Sequence, residues 1–248
     1  MNNKTYNKIF FDFDSTIISC ESLDLLADMK DIGEEVRRMT KLSMDGVVAL
    51  EDVFSKKMSL ISPSKNDIEF ILNKCKSLLV DGMESVISVL LSFEKDVFIL
   101  SSNFHCIVDP IAEVLHIPSQ NVLANNLQFL DGKYNGMNTD SLLATARGKA
   151  QTIKQYINKS DRVVMVGDSV SDSYCREVVD LFIGFGGVEK RAAVQAVSDV
   201  YVEHKNMLTI LPVILSRDEM RQLKKGKPKL VREIEVLPTT TTTTNEDS

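Results

Sequence analysis

The stretch that most constrains the fold is an apolar segment that ends in two aspartates. Residues 8–11 read Lys-Ile-Phe-Phe, and Asp12 and Asp14 follow with one residue between them. An apolar run of this kind is typical of a buried parallel strand, and open α/β sheets bind their ligands at the carboxyl ends of such strands. The sequence therefore predicts a sheet whose first strand delivers two carboxylates to its ligand-binding edge.

Two further apolar runs end in polar side chains that suit the same edge. Residues 96–100 precede Ser101 and Ser102, and residues 162–167 precede Asp168. Helical patterns separate the runs, and this alternation predicts an α/β protein with a doubly wound, Rossmann-like, mostly parallel sheet. The other elements predicted here are strands over 181–185 and 199–202, a helix over about 141–157 that carries Lys149, and a hairpin that turns at Asp131-Gly132.

Helical periodicity fills the chain between the first two strands. Ser64 and Asp67 have the spacing of a capping box ahead of one of these helices. We therefore expect residues 19–80 to form a helical cap inserted into a catalytic core made of residues 1–18 and 81–215. The other predicted cap helices cover residues 21–30, 34–43 and 50–60.

The last part of the chain, residues 216–248, differs in composition from the rest. Lysines occupy positions 224, 225, 227 and 229, and six consecutive threonines follow further on. A polar stretch has too few apolar side chains for their burial to offset the conformational entropy that is lost on ordering. The composition therefore predicts a basic segment followed by a disordered, threonine-rich tail.

Charge and cysteine usage limit the partners and the compartment. The net charge is −6, from 29 Lys plus Arg and 35 Asp plus Glu, so the chain has no basic excess to hold a nucleic-acid backbone. No run approaches the ~20 apolar residues of a membrane helix. The four cysteines are far apart and form no CxxC pair, which favours reduced thiols. We expect a cytoplasmic monomer or homodimer that binds neither nucleic acid nor membrane.

The side chains expected at the sheet edge match the needs of phosphoryl transfer. That reaction requires a nucleophile, an acid or base, a divalent cation and donors for the phosphate oxygens. The strand ends supply Asp12, Asp14 and Asp168. Asp172 follows shortly after, and Lys149 lies on the preceding helix. Because carboxylate oxygens favour Mg²⁺, we expect a magnesium-dependent enzyme of phosphoryl transfer.

Taken in order, these motifs are similar to those of the haloacid dehalogenase superfamily of phosphatases. The resemblance spans residues 8 to about 203 and narrows to the phosphoserine phosphatase-like branch. The motifs that carry it are Asp12-Phe13-Asp14-Ser15-Thr16, Glu21, Met39-Thr40 with Met44 and Gly46, Ser101, Ala124-Asn125-x-Leu127, Asp131-Gly132-Lys133, Lys149, and Gly167-Asp168 with Asp172.

The resemblance implies a mechanism through an aspartyl-phosphate. Asp12 is implied as the nucleophile, and Asp14 as the general acid that later becomes the general base. Mg²⁺ is implied to bind Asp12, the backbone carbonyl of Asp14, and Asp168. Asp172 is implied to support the metal site and the orientation of Lys149.

The resemblance also implies a substrate, O-phosphoserine, and the residues that bind it. Ser101 and Lys149 are implied to bind the phosphoryl oxygens, and Glu21 the substrate ammonium. Met44 is expected in the cap interior or at the pocket wall. Lys57 stands where the family usually has an arginine for the substrate carboxylate, and a lysine lacks the bidentate fork.

Other departures concern the residues that select the substrate. Leu50 replaces a common aromatic residue, Ser102-Asn103 replaces a Gly-Gly pair, and Ser171 replaces an asparagine. These changes leave open another small ester as substrate, such as phosphothreonine, phosphoethanolamine or a sugar phosphate. Outside this class, the sequence leaves open a nucleotide-sugar transferase and a non-catalytic binding protein.

Several positions have competing interpretations. Ser102 competes with Ser101 for the phosphate, and Arg147 and Lys154 compete with Lys149 on one helix. Glu21 also suits the first turn of a helix, where the dipole favours a negative charge. Lys57 also suits a solvated helix face.

Overall fold

The first apolar run forms a central strand of an open sheet. The protein is described by a computed structural model that covers residues 5–138, 141–237 and 241–243. One sheet and a separate hairpin contain the strands of this part of the chain. They are β1 (Lys8–Phe11), β2 (Asp96–Phe104), β3 (Val122–Asn125), β4 (Leu127–Leu130), β5 (Lys133–Met137), β6 (Val163–Gly167), β7 (Leu181–Phe185), β8 (Val200–Val202) and β9 (Thr241–Thr243).

The strand order explains why the polar strand ends meet. The large sheet runs β3-β2-β1-β6-β7-β8-β9, and β1 pairs in parallel with both β2 and β6. Only the pairing of β8 with β9 is antiparallel among the described strands of this sheet. The prediction of a doubly wound, mostly parallel sheet is therefore confirmed, and the predicted hairpin forms as β4 and β5.

Helices surround this sheet. Five of them stand between β1 and β2, and the first four of these fall within residues 19–80, where the sequence predicts the cap. The α-helices of the described residues are α1 (Ser22–Asp28), α2 (Gly33–Met44), α3 (Leu50–Ile61), α4 (Lys65–Lys76), α5 (Met83–Ser92), α6 (His105–Val114), α7 (Gly148–Tyr156), α8 (Val170–Ser173), α9 (Ala192–Val197), α10 (Leu211–Ile214), α11 (Arg217–Gly226) and α12 (Pro228–Val236). No helix in this part of the chain is both long and apolar enough to cross a bilayer.

Both faces of the sheet are covered, which is why its strands read as continuous apolar runs. Ile9, Phe10 and Phe11 are fully buried in β1. Ile9 and Phe11 belong to one apolar cluster and Phe10 to a second, as the alternation of side chains along a strand requires. Phe10 stacks on Phe98 of β2 with 4.6 Å between ring centroids. Packing on both faces of the sheet therefore fixes the position of β1, and with it the carboxyl end of this strand.

The helix predicted over 141–157 begins later than expected. A short 3₁₀ turn covers Leu142–Ala144, and the α-helix starts at Gly148. A Cβ atom at Gly148 would lie 1.6 Å from the carbonyl oxygen of Leu142. The chain therefore folds back on itself at the glycine with which α7 begins, and helical periodicity alone does not reveal this contact.

The threonine-rich tail also differs from the prediction. The basic segment lies on α11 and α12, and Thr241–Thr243 pair with β8 as a short antiparallel strand. β-branched residues favour extended backbone, and an edge strand offers unpaired backbone groups. The prediction of disorder is wrong for these three threonines, and residues 238–240 and 244–248 lie outside the described part of the chain.

The capping box at the start of α4 is present and generates a stability prediction. Ser64 Oγ accepts a hydrogen bond from the Asp67 amide at 3.2 Å, and Asp67 Oδ2 accepts one from the Ser64 amide at 2.8 Å. We expect Ser64→Ala to lower the free energy of unfolding by about 1 kcal/mol in urea titrations. Ser59→Ala, on an exposed position inside α3, is the control, and an equal loss in both variants would contradict the role of the cap.

Candidate active site

The two aspartates after β1 have different surroundings. Asp12 is buried, and its amide donates to the carbonyl of Val166 in β6 at 2.9 Å. The chain turns at Ser15, which has a φ of +53°. Asp14 Oδ1 accepts from the Ser22 amide at 2.8 Å, and Asp14 Oδ2 accepts from Asn103 Nδ2 at 2.8 Å. The Asp12 backbone is therefore bonded to β6, while the Asp14 carboxylate is held at the start of α1.

Lys149 joins two of the buried carboxylates. Its Nζ atom lies 2.6 Å from Asp12 Oδ1 and 2.6 Å from Asp172 Oδ1. Burial opposes the charge of Lys149, but the two carboxylates outweigh that effect and raise its pKa. The competing cations are exposed: Arg147 directly precedes α7, and Lys154 lies on it. The geometry therefore brings Lys149 to the aspartates and leaves the other two at the surface.

Three carboxylates form a cluster suited to a divalent cation. Oxygen atoms of Asp12, Asp168 and Asp172 all lie within 4.8 Å of one another. Burial, followed by the charge of Asp172, raises the pKa of Asp12. Burial also raises the pKa of Asp168 to about 6, although the Arg191 guanidinium opposes the shift. The cluster therefore holds more negative charge than its neighbours balance, and hard oxygen donors of this kind fit Mg²⁺.

Asp172 is itself tightly held. Asp172 Oδ2 accepts from the Ser169 amide at 2.9 Å and from the Ser169 hydroxyl at 2.6 Å. Because Asp172 Oδ1 is bonded to Lys149, the side chain is anchored through both oxygens. A carboxylate fixed in this way can orient Lys149 and contribute negative charge to the cluster without moving.

Arg191 is a site residue that the sequence analysis missed. It is buried beside α9, and its Nε donates to Asp168 Oδ2 at 3.2 Å. Its terminal nitrogens lie 3.8 Å from Glu21 Oε1 and 3.5 Å from Asp45 Oδ1. Arg191 sits in the run Glu189-Lys190-Arg191, whose charge is typical of a solvated surface. No local pattern marks it as buried, because its partners come from distant segments.

The predicted substrate residues surround one cavity. Its volume is about 180 Å³, which suits a small molecule. Ser101 is buried, and its Oγ accepts from the Asn103 amide at 3.0 Å. Both Ser101 and Ser102 lie at the cavity wall, so both remain candidates for binding the phosphate. The predicted residues that line this cavity are Asp12, Asp14, Glu21, Met44, Lys57, Ser101, Ser102 and Lys149.

Glu21 lies among several charges at the cavity wall. Its Oε1 accepts from the Ser15 hydroxyl at 2.8 Å. Burial, and then the charges of Asp14 and Asp168, raise the pKa of Glu21 to about 8. A cation placed beside Glu21 would favour its carboxylate form, so the position suits a substrate ammonium.

Lys57 is buried, in contrast to the interpretation as a solvated residue. Its Nζ donates to Thr40 Oγ1 at 2.7 Å and lies 3.6 Å from Asp24 Oδ1. The neighbouring Lys56 is exposed. Lys57 therefore lies at the cavity wall with its charge bonded to Thr40 and paired with Asp24.

Comparison with known proteins assigns the class. A model of the family described as haloacid dehalogenase-like hydrolase matches residues 9–175. A phosphoserine phosphatase of Bos taurus is 34% identical over 197 residues, which are 78% of this chain and 88% of that protein. These matches and the fold define the chain as a hydrolase.

Solved structures agree with this assignment. A substrate-bound phosphoserine phosphatase complex has a TM-score of 0.77 and 27% identity, and the match covers 86% of this chain and 100% of that one. A phosphoserine phosphohydrolase-like protein from Francisella tularensis subsp. tularensis SCHU S4 also has a TM-score of 0.77, with 26% identity over 84% of this chain and 100% of that one. The chain belongs to the haloacid dehalogenase-like hydrolases and is a phosphatase, that is, a phosphoric monoester hydrolase.

The carboxylate cluster generates a prediction about metal binding. Mg²⁺ at one hundred times its Kd should raise the free energy of unfolding by about 2.7 kcal/mol. We expect the melting temperature to rise with MgCl₂ and to fall back with EDTA. Asp168→Asn should remove most of this response, whereas Asp52→Asn, on an exposed position of α3, should keep it. An unchanged response in Asp168→Asn would place the cation elsewhere.

Proposed function

We propose that the protein is a Mg²⁺-dependent phosphatase that hydrolyses O-phosphoserine through an aspartyl-phosphate on Asp12. The observation that carries this proposal is the position of Asp12: its carboxylate is buried at the cavity wall, 2.6 Å from Lys149 and within the cluster with Asp168 and Asp172. A buried carboxylate held by one lysine has a defined direction of attack. The names and similarity of the relatives support phosphoserine as the substrate.

In the first half of the reaction, a carboxylate oxygen of Asp12 attacks phosphorus and the bond between phosphorus and the seryl oxygen breaks. Asp14 gives its proton to the departing oxygen, so serine leaves as the neutral alcohol. Burial raises the pKa of Asp14, which favours the protonated form that this step needs. Lys149 remains beside Asp12 and stabilises the negative charge of the phosphoryl group.

In the second half, Asp14 takes a proton from water, and the resulting hydroxide attacks the phosphorus of the aspartyl-phosphate. The bond to Asp12 breaks, and inorganic phosphate and the free carboxylate result. The metal would be held by Asp12, Asp168 and the backbone carbonyl of Asp14, with Asp172 in support. When bound there, Mg²⁺ supplies positive charge to the phosphoryl oxygens.

The cap residues account for substrate recognition in this proposal. Glu21 binds the substrate ammonium and Lys57 its carboxylate. Lys57 is also bonded to Thr40 and paired with Asp24. Its interaction with a substrate carboxylate is therefore weaker than that of a lysine without other partners. This observation supports a second candidate, a phosphatase for an ester without a carboxylate, such as phosphoethanolamine.

The proposal also includes a cytoplasmic location and a small-molecule partner. The four cysteines are free thiols in the structure, which fits the reducing cytoplasm. The partner is a small phosphorylated metabolite, consistent with the size of the cavity. The expectations of a monomer or homodimer, and of no nucleic-acid or membrane partner, stay predictions.

Replacing the nucleophile tests the mechanism. We expect Asp12→Asn to reduce the turnover of phosphoserine to background, because an amide oxygen is a poor nucleophile. Acid-quenched protein should carry alkali-labile phosphate in the parent and none in Asp12→Asn. Asp52→Asn is the matched control and should retain both signals. Phosphoenzyme or normal turnover in Asp12→Asn would refute the assignment, and a phosphatase-inactive parent would favour a binding protein.

Position 57 tests substrate choice. We expect Lys57→Arg to raise kcat/KM for phosphoserine relative to phosphoethanolamine, because a guanidinium binds a carboxylate with two hydrogen bonds. Lys57→Met should lower this ratio by about 10- to 100-fold, as for a hydrogen bond to a charged group worth roughly 1.5–3 kcal/mol. Using the ratio cancels any general loss caused by leaving Asp24 unpaired.

The neighbouring Lys56 supplies the control for this experiment. Lys56→Met removes the same charge from an exposed position of the same helix, and the substrate ratio should not change. If Lys57→Met and Lys56→Met gave the same ratio as the parent, Lys57 would not contact the substrate carboxylate.

A further inference from the structure

We propose that Asn103 is a positioning residue for Asp14, and that its side-chain amide fixes the orientation in which Asp14 exchanges a proton with the leaving group and with water. This inference rests on the proposed function. Asn103 lies near the end of β2 and is 3% exposed. Its Nδ2 donates to Asp14 Oδ2 at 2.8 Å.

The orientation of the Asn103 amide follows from its partners. Asn103 Oδ1 accepts from the Phe104 amide at 2.8 Å. A backbone N–H can only donate, so the atom facing Phe104 is the oxygen, and the NH₂ group must face Asp14. The second hydrogen of this group is directed to Ser22 Oγ, at 2.5 Å. All the polar atoms of the Asn103 side chain are therefore bonded, and a fully bonded buried amide is held in one position.

Asn103 and Ser22 together hold both oxygens of Asp14. Oδ1 accepts from the Ser22 amide and Oδ2 from Asn103 Nδ2. Rotation of the carboxylate would break at least one of these bonds in a buried site, where a lost hydrogen bond is costly. The plane of the carboxylate is therefore fixed relative to the cavity. An acid that must first meet a leaving oxygen and then a water molecule gains from such a fixed orientation.

The same residue links the proposed acid to the phosphate side of the cavity. The Asn103 backbone amide donates to Ser101 Oγ at 3.0 Å. Ser101 Oγ accepts this bond and keeps its own proton for donation to an anion. One residue of β2 thus positions groups on either side of the bond that the reaction breaks.

A comparison of two leaving groups tests this inference. Serine is a poor leaving group that needs a proton, whereas p-nitrophenolate departs without one. General acid catalysis accelerates a reaction roughly 10²–10⁴-fold. Loss of the positioning of Asp14 should remove part of this acceleration. We expect Asn103→Ala to lower kcat/KM for phosphoserine about 10- to 100-fold and to leave kcat/KM for p-nitrophenyl phosphate within about threefold of the parent. This ratio reports the steps through phosphoryl transfer to Asp12, whereas a slower attack of water lowers kcat for both esters.

Two further variants make the result decisive. Asn103→Ser shortens the side chain by one bond and keeps a hydroxyl for the Phe104 amide. This variant should therefore fold even if Asn103→Ala does not, and it should likewise lose activity on phosphoserine but not on p-nitrophenyl phosphate. Asn121→Ala is the matched control: Asn121 Nδ2 donates to the Val97 carbonyl, near the other end of β2, and neither substrate should be affected.

Each outcome has a distinct meaning. Equal losses of kcat/KM for both substrates in the Asn103 variants would show a purely structural role, and parent-like kinetics for both would show no role; either result overturns the inference while the proposed function stands. A parent protein that hydrolyses neither ester would overturn the proposed function, and the inference with it.

Discussion

The site depends on one buried cation, Lys149, placed between Asp12 and Asp172. Removing a charge from water costs several kcal/mol, and a buried carboxylate is tolerated only when it is paired and hydrogen-bonded. The sheet places Asp12 and Asp168 next to each other, because β1 and β6 are parallel neighbours. Without a cation from α7, the ends of these two strands would repel each other.

The fold was largely predictable because its strands are buried on both faces. An apolar run ended by a carboxylate is a local pattern, and Asp12 and Asp168 follow such runs in β1 and β6. Parallel pairing then brings distant residues to one edge, as the strand order confirms. The start of α7 was not predictable, because it depends on a contact between Gly148 and the Leu142 backbone rather than on periodicity.

The groups that hold the site were harder to predict than the groups that line it. Arg191 and Asn103 are polar residues in polar surroundings of the sequence, and nothing near them marks burial. Asn103 becomes buried because β2 extends through Phe104, beyond the run of apolar residues that predicted the strand. Its partners Asp14 and Ser22 lie far away in the sequence. Hydrogen bonds between residues so far apart in the sequence produce no local pattern from which they could be predicted.

The carboxylate cluster and the buried Lys57 have different ionic partners. Lys149 of α7 pairs with Asp12 and Asp172, whereas Lys57 of α3 pairs with Asp24 of α1. A neutral substitution at position 57 therefore leaves the ion pairs of Lys149 in place, although it removes a charge that lowers the pKa of Asp14. Arg191 is the exception, since it touches Asp168 in the core as well as Asp45 at the end of α2. This buried guanidinium therefore places one positive charge between a carboxylate of the cluster and the carboxylate that follows α2.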